Sequence, residues 1–293
     1  MTFRAGLVAV VGRPNTGKST LVNALVGRKV TIVSDKSQTT RRSVRGVLNE
    51  EHLQVVFTDT PGFHKPRNPL GRRLNDAVAS AVEGADAVIQ VVDAAAGVGR
   101  GDAFVYASQV AGVGGQRLCA VNKIDRVRHR DLVPQLQAAA DLGPFDEIVP
   151  VSARRGTGVD ELTRLVAAAM PEGPALYPPD ATTDQPLEEQ VAEIVREKAL
   201  ALMREEVPHS VAVTVEELQP EDGLVRIEAL VLVERESQKG IVIGKGGATL
   251  KAIGTSAREE LEVLLGKKVF LSLRVKVLRD WQRDPRALDR LGL

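Results

Sequence analysis

Along the first 170 residues, apolar runs of five or six residues recur at 7–11, 53–57, 87–92, 117–121 and 147–151, separated by segments with helical character. Runs of that length, rich in Val and Ile and alternating with helices, predict a mostly parallel sheet covered on both faces. A further run at 44–48 precedes the second of these by only Asn49-Glu50-Glu51-His52. That spacing fits a hairpin and places one antiparallel strand at or near the sheet edge. Five prolines between Met170 and Pro186 then break the pattern and read as a linker. Residues 188–203 resume with helical periodicity, carrying Val191, Ile194, Val195 and Leu202 on roughly one face. Two β-branched runs, 210–217 and 224–234, lead to a glycine-rich turn, a helix over 248–265 and a last strand over 269–277.

The division is therefore 1–170 for an α/β domain, 171–186 for the linker, 187–280 for an α+β domain and 281–293 for a tail. Composition adds exclusions. One cysteine, Cys119, rules out an internal disulfide framework, and the four histidines show no metal-ligand spacing. No apolar run approaches the ~20 residues of a membrane helix, and the N-terminus has no cleavable signal pattern, so a soluble, cytoplasmic protein is expected. The net charge of +1 conceals an uneven distribution. Residues 1–175 hold 22 basic and 17 acidic groups, 176–236 hold 5 and 15, and 237–293 hold 12 and 6. A basic C-terminal segment beside an acidic one is compatible with a nucleic-acid partner approaching one face.

The chemistry lies in the loops after the predicted strands. Gly12-Arg13-Pro14-Asn15-Thr16-Gly17-Lys18-Ser19 fits G-x-x-x-x-G-K-[ST], with a strand before it and Thr20 continuing into a helix. Backbone N–H groups of such a loop surround phosphate oxygens; Lys18 reaches the β- and γ-phosphates and the Ser19 hydroxyl ligates Mg²⁺. Asp59-Thr60-Pro61-Gly62 ends the strand 53–57, with the carboxylate at the metal's water shell and Gly62 near the γ-phosphate. Asn122-Lys123-Ile124-Asp125 selects guanine, because the Asp125 carboxylate accepts from two adjacent donors that adenine lacks. Lys123 lies along the base plane, Asn122 ties its loop to the phosphate loop, and Ser152-Ala153 offers a backbone N–H to the guanine O6.

In this serial order the motifs resemble those of translation-factor-type P-loop GTPases. The resemblance implies that Gln38-Thr39-Thr40-Arg41 is the first switch and that Thr40, in preference to Thr39, coordinates Mg²⁺ when a γ-phosphate is present. Phe63 stands where signalling GTPases carry a water-orienting Gln. Asn15 matches relatives in which K⁺ sits among the phosphates, so the resemblance implies K⁺ beside Mg²⁺ and GTP or GDP. Lys18, Thr40, Asp59, Gly62 and Asn15 are then the catalytic set, with slow intrinsic hydrolysis.

Downstream, Ile241-Val242-Ile243-Gly244-Lys245-Gly246-Gly247 is an I-x-I-G-x-x-G sequence entering a helix, in the order helix–strand–strand–helix–strand. It resembles a KH domain of the bacterial type, whose GXXG loop clamps single-stranded RNA. Lys239, Lys245 and Lys251 supply charge, Gly244, Gly246 and Gly247 admit the backbone, and Ile241 and Ile243 form a base-lining groove. His209 and Arg274 occupy predicted strand positions where aromatics are expected, which lowers the expected base stacking. Taken whole, residues 5–293 resemble the Era family of bacterial ribosome-assembly GTPases. The resemblance implies a monomer that binds the 3′ end region of small-subunit ribosomal RNA and aids small-subunit maturation. It also implies peripheral membrane association, for which no lipid motif or amphipathic anchor is visible. Two other readings stay open: a GTPase serving tRNA modification or transport, and a C-terminal domain that binds protein.

Overall fold

The computed structural model describes all residues except Met1, Ser37, Arg67 and Glu205. The chain forms two compact units, one of residues 1–67 and 71–184 and the other of residues 68–70 and 185–293. In the first, six strands run in the order β2-β3-β1-β4-β5-β6. They are β1 (Arg4–Val11), β2 (Val44–Glu50), β3 (Leu53–Asp59), β4 (Ala87–Asp93), β5 (Gln116–Asn122) and β6 (Glu147–Pro150). All pairings are parallel except β2 with β3, an antiparallel pair at the edge. Every residue of β3 and β4 is buried, as a parallel sheet covered on both faces requires. On one face α1 (Lys18–Val26) and α5 (Val159–Ala169) contribute Leu21, Leu25, Leu162 and Val166 to a core with Val8, Val10 and Phe57. On the other, α2 (Pro69–Glu83) and α3 (Arg100–Val105) pack Val78 and Val105 on Ala9, Val11 and Val88. Helix α4 (His129–Ala140) packs Ala139 near Val92 and Val121.

The proline-rich segment read as a linker is laid along this unit as far as residue 184. Val47 N–H donates to the Thr182 carbonyl at 2.9 Å, and Gly46 bridges Thr183. The buried Gln54 side chain satisfies all its hydrogen-bonding groups here. Its Oε1 accepts from the N–H groups of Leu176 and Tyr177 (2.7 and 2.8 Å), and its Nε2 donates to the Tyr177 carbonyl and to Asn49 Oδ1. A segment poor in donors thus covers the open edge of β2 through a few side-chain and main-chain bonds.

The second unit holds a three-stranded sheet, order β7-β8-β9, with β7 (Ala212–Glu221) antiparallel and β9 (Lys268–Val277) parallel to β8 (Leu224–Val233). The parallel β8–β9 pair needs a crossover, which α8 (Glu236–Ile243) and α9 (Ala248–Leu265) supply. Helix α6 (Leu187–Leu202) packs Val191 and Val195 with Ile253 and Leu261 of α9 over Ile227 and Val231. One element differs from the sequence expectation. The turn at Gly244 joins two helices, since Glu236–Ile243 is helical despite its β-branched end. The tail is folded: Trp281 is fully buried, its indole N–H donates to the Ser210 carbonyl at 3.0 Å, and α10 (Pro285–Arg290) buries Leu288.

Candidate nucleotide and nucleic-acid sites

The loops after β1, β3, β5 and β6 emerge at the same, C-terminal edge of the sheet, where parallel α/β folds gather their ligands. Gly17 immediately precedes helix α1; its φ of +95° lies in the left-handed region, and its missing side chain leaves the helix N-terminus without a side-chain cap. A Cβ there would overlap the Asn122 amide. The loop's other side chains are turned to support it. Thr16 Oγ1 donates to the Arg13 carbonyl (3.1 Å), Asn15 Nδ2 donates to the Asp35 carbonyl (3.1 Å), and Arg13 points away from the loop, its Nε 2.7 Å from the fully buried Asp102 Oδ1. Arg13 thus serves the loop as an anchor, with only its backbone facing the phosphate side. Lys18 is buried and donates to the carbonyls of Gly12 and Arg13 at 3.2 and 2.9 Å. Desolvation brings its pKa down to about 8.

Beside it, three hydroxyls meet on one carboxylate. Asp59 Oδ2 accepts from Ser19 (2.7 Å), Thr31 (2.9 Å) and Thr40 (3.1 Å), and the Ser19 and Thr40 hydroxyls lie 3.0 Å apart. Asp59 Oδ1 is buried without a hydrogen-bond partner. Burial pushes the Asp59 pKa up, against the opposing effects of these hydroxyls and Lys18. Two hydroxyls and an unsatisfied carboxylate oxygen are the hard oxygen donors that suit a hydrated Mg²⁺ ion, so the residues present fit the metal. Thr39 is turned elsewhere, its hydroxyl on the Lys36 carbonyl at 2.6 Å. Gly62 abuts the phosphate loop so closely that a Cβ would lie 2.7 Å from Pro14 Cα. Thr60 is buried, its hydroxyl on the Val10 carbonyl (2.7 Å), so it braces the strand ends ahead of Pro61. Thr20, in the first turn of α1, lines the cleft between the phosphate loop and residues 33–40.

At the base end, Asn122 Nδ2 donates to the Thr16 carbonyl (2.9 Å) and its Oδ1 accepts from the Ala153 N–H (3.1 Å). The Ala153 N–H therefore points into the same corner as the Asn122 side chain. Lys123 Nζ bridges the Asn15 carbonyl and Asp93 (2.5 and 2.6 Å). The Ser152 hydroxyl donates to Asp125 Oδ1 at 2.6 Å and, as the largest influence, holds that carboxyl below its ordinary range. Asp125 is thus kept ionised and oriented as an acceptor. Thr31 and Asp102 are absent from the sequence-level site; both lie outside the consensus motifs, and no spacing rule reaches them.

The second site surrounds the turn between α8 and α9. Gly244, Gly246 and Gly247 have φ of +73°, +59° and +80°, and the space beside Gly246 and Gly247 is open. Lys245 and Lys251 are exposed, and Lys239 is half-buried. Ile241 and Ile243 stand two apart on a helix, where side chains do not share a face, so the groove expected from them is not built that way. Its walls are α9 and β9: Leu250, Lys251, Gly254, Arg258, Leu271 and Leu273 surround about 440 Å³. The spacing 247, 250, 251, 254, 255, 258 is the i, i+3, i+4, i+7 signature of one helix face, a signal available in the sequence. His209 lies in a short helix, α7 (Val207–Ser210), and not in a strand. Phe270 of β9 is half-exposed under the Arg226 guanidinium, 4.8 Å from the ring centroid.

Comparison with known proteins agrees with both halves. Residues 7–123 match the 50S ribosome-binding GTPase family and residues 206–282 the KH domain family. GTPase Era of Mycobacterium sp. (strain KMS) is 48% identical over 296 residues, spanning 99% of both chains, and that of Mycolicibacterium smegmatis is equally similar. The chain belongs to the Era family of GTPases. Among solved structures, Era in complex with MgGDPNP and nucleotides 1506–1542 of 16S ribosomal RNA superposes with a TM-score of 0.96 at 41% identity, over 99% of both chains. An Aquifex aeolicus Era variant bound to GDP·AlF4⁻ gives the same values. As in those relatives, both Era-family units are present in one chain. No helix among the described residues is long and apolar enough to cross a membrane.

Proposed function

We propose that this chain is a cytoplasmic, monomeric GTP-hydrolysing switch that binds the 3′ region of small-subunit ribosomal RNA and aids maturation of that subunit. The observation that carries the reading is the full-length likeness to Era in complex with MgGDPNP and 16S ribosomal RNA, together with an open GXXG turn in the second unit.

In this reading Lys18 leaves the carbonyls of Gly12 and Arg13 for the β- and γ-phosphates, and the uncapped start of α1 receives their charge. Magnesium, when bound, neutralises charge on the phosphate oxygens. Ser19 and Thr40 are its protein ligands, and Asp59 holds its water shell. Thr40 belongs to a loop that orders on GTP and relaxes on GDP, which links nucleotide state to shape. Gly62, with no side chain, lets the switch backbone approach the γ-phosphate. Asp125 accepts from the two guanine donors, with Asn122 and Lys123 fixing its loop to the phosphate loop. Asn15 Nδ2 donates to the Asp35 carbonyl, which leaves the neutral Asn15 amide oxygen, a donor suited to K⁺ rather than to a second divalent ion; turnover equal in Na⁺ and K⁺ buffers removes that ion from the scheme.

RNA lies along the α8–α9 turn and the α9–β9 groove, with Lys245, Lys251 and Arg258 meeting phosphates. Crosslinking to ribosomal RNA with a GTP analogue bound tests it, comparing wild type with a variant carrying Lys245→Asp and Gly246→Asp. Loss of capture supports RNA binding at the turn; unchanged capture eliminates it and favours a protein partner for the second unit.

A further inference from the structure

Of the three hydroxyls on Asp59 Oδ2, two belong to the proposed ligands Ser19 and Thr40. The third, Thr31, is a different kind of group. It is buried at 5% exposure, and its hydroxyl donates to Asp59 Oδ2 at 2.9 Å. Its backbone is clamped by Asn23 of α1. Asn23 Oδ1 accepts from the N–H groups of Val30 and Thr31 (2.8 and 3.0 Å), and Nδ2 donates to the Thr31 carbonyl (2.8 Å). The same helix that begins with Lys18 and Ser19 therefore fixes where the Thr31 hydroxyl stands. Thr40, by contrast, sits in the segment that the γ-phosphate orders.

We propose that Thr31 is a positioning residue for the magnesium site, holding Asp59 Oδ2 so that Oδ1 is presented to the hydrated cation in every nucleotide state. The proposal rests on the reading of Ser19, Thr40 and Asp59 as the metal site. A carboxylate with one oxygen fixed by three donors is held in one orientation, and its other oxygen, buried and unsatisfied, is left for the hydrated ion. Removing the Thr31 hydroxyl leaves that orientation to Ser19, itself a proposed metal ligand, and to a loop that moves. Outer partners of metal ligands typically alter metal affinity by about 10- to 100-fold.

The test measures release of a fluorescent GDP analogue from the full-length protein across a Mg²⁺ titration, with EDTA as the zero point. Thr31→Val should raise the half-saturating Mg²⁺ concentration about tenfold, leave the release rate in EDTA at the wild-type value, and be restored by Thr31→Ser. A merely structural role would change the EDTA rate and the melting temperature as well, and that result overturns the proposal. So does a wild-type Mg²⁺ midpoint in Thr31→Val. Ser19→Ala separates the two levels of the argument. If it keeps a normal Mg²⁺ response, the metal-site reading itself fails; if it loses the response while Thr31→Val does not, only the role of Thr31 fails. Should Thr31→Val not fold, Thr31→Ala removes the same hydroxyl without adding an apolar group and carries the same comparison.

Discussion

The rings of Phe63 and Phe104 stack with centroids 5.4 Å apart and an interplanar angle of 24°. Phe63 follows Gly62 directly, yet it is 7% exposed and belongs to the core beside Val11, Val78 and Val88. The residue that could have faced the γ-phosphate is rotated into the protein by apolar packing. Restoring a glutamine there should therefore not restore water activation. Phe63→Gln buries an amide without partners, a cost of about 1–3 kcal/mol, so we expect a lower melting temperature and no gain in single-turnover GTP hydrolysis. Faster hydrolysis in that variant would show that the side chain can swing out.

Thr39 and Thr40 make different contacts, and their alanine variants should separate. Thr40→Ala removes a hydroxyl from the Ser19–Asp59 cluster, and single-turnover hydrolysis at limiting Mg²⁺ should fall at least about tenfold, the scale of a lost charge-assisted contact. Thr39→Ala removes a bond to the Lys36 carbonyl and should stay within about threefold of wild type on the same scale.

Lys18 gives a pH signature of definite sign. Burial lowers its pKa from 10.5 to about 8 in the nucleotide-free protein. Between those values the folded chain holds fewer protons than the unfolded one at this position. Its contribution to stability therefore rises with pH across that window, and the cost of the buried charge is complete below pH 8. Phosphate holds the ammonium charged, so GDP binding above pH 8 must take up a proton. Calorimetry in buffers of different ionisation heat should show uptake approaching one proton by about pH 9, and affinity falling up to tenfold per pH unit. Uptake that is absent at pH 9 would sink the assignment.

Arg258 tests the groove between α9 and β9. It is a phosphate contact in the proposed RNA path, so Arg258→Ala should weaken binding about equally across RNA sequences. The slope of log affinity against log salt should fall by about one. Filter binding with a 16S 3′-end oligonucleotide and a scrambled one at several salt concentrations reads both quantities. An unchanged slope excludes Arg258 from the interface.

Gln54→Leu removes the four bonds by which Gln54 organises the segment around Tyr177. Two N–H groups lose their acceptor, and the loss should be about 2–4 kcal/mol of first-unit stability. Urea unfolding measures it, and limited proteolysis should show earlier cleavage between residues 174 and 184.

Much of this was legible in the sequence because the motifs fix backbone and chemistry together. Gly17, Lys18 and Ser19 fall at a strand-to-helix junction, and Asp59 and Asn122 fall at strand ends, so their order alone brings them to one edge of the sheet. Thr31 and Asp102 were not legible, since they act through the tertiary approach of residues 28 and 89 positions away. Helix α8 was missed because Ile241-Val242-Ile243 has strand propensity and tertiary packing of Val242 overrides it. The same error placed Ile241 and Ile243 on a common face. The tail's packing is carried by the apolar trio Trp281, Leu288 and Leu291, interspersed with five charged side chains between Arg283 and Arg290.

The segment over β2 has a consequence for how the chain is made. Residues 44–50 finish their strand early, but the groups that cover its outer edge lie some 130 positions later, at Thr182 and Thr183. A nascent chain, or a recombinant fragment ending at residue 170, carries all the nucleotide motifs with a bare strand edge, the kind that recruits another strand. Such a fragment should self-associate where one ending at Asp184 does not, and the growing polypeptide is exposed to the same hazard until its fourteen-residue closing flap, 171–184, leaves the ribosome.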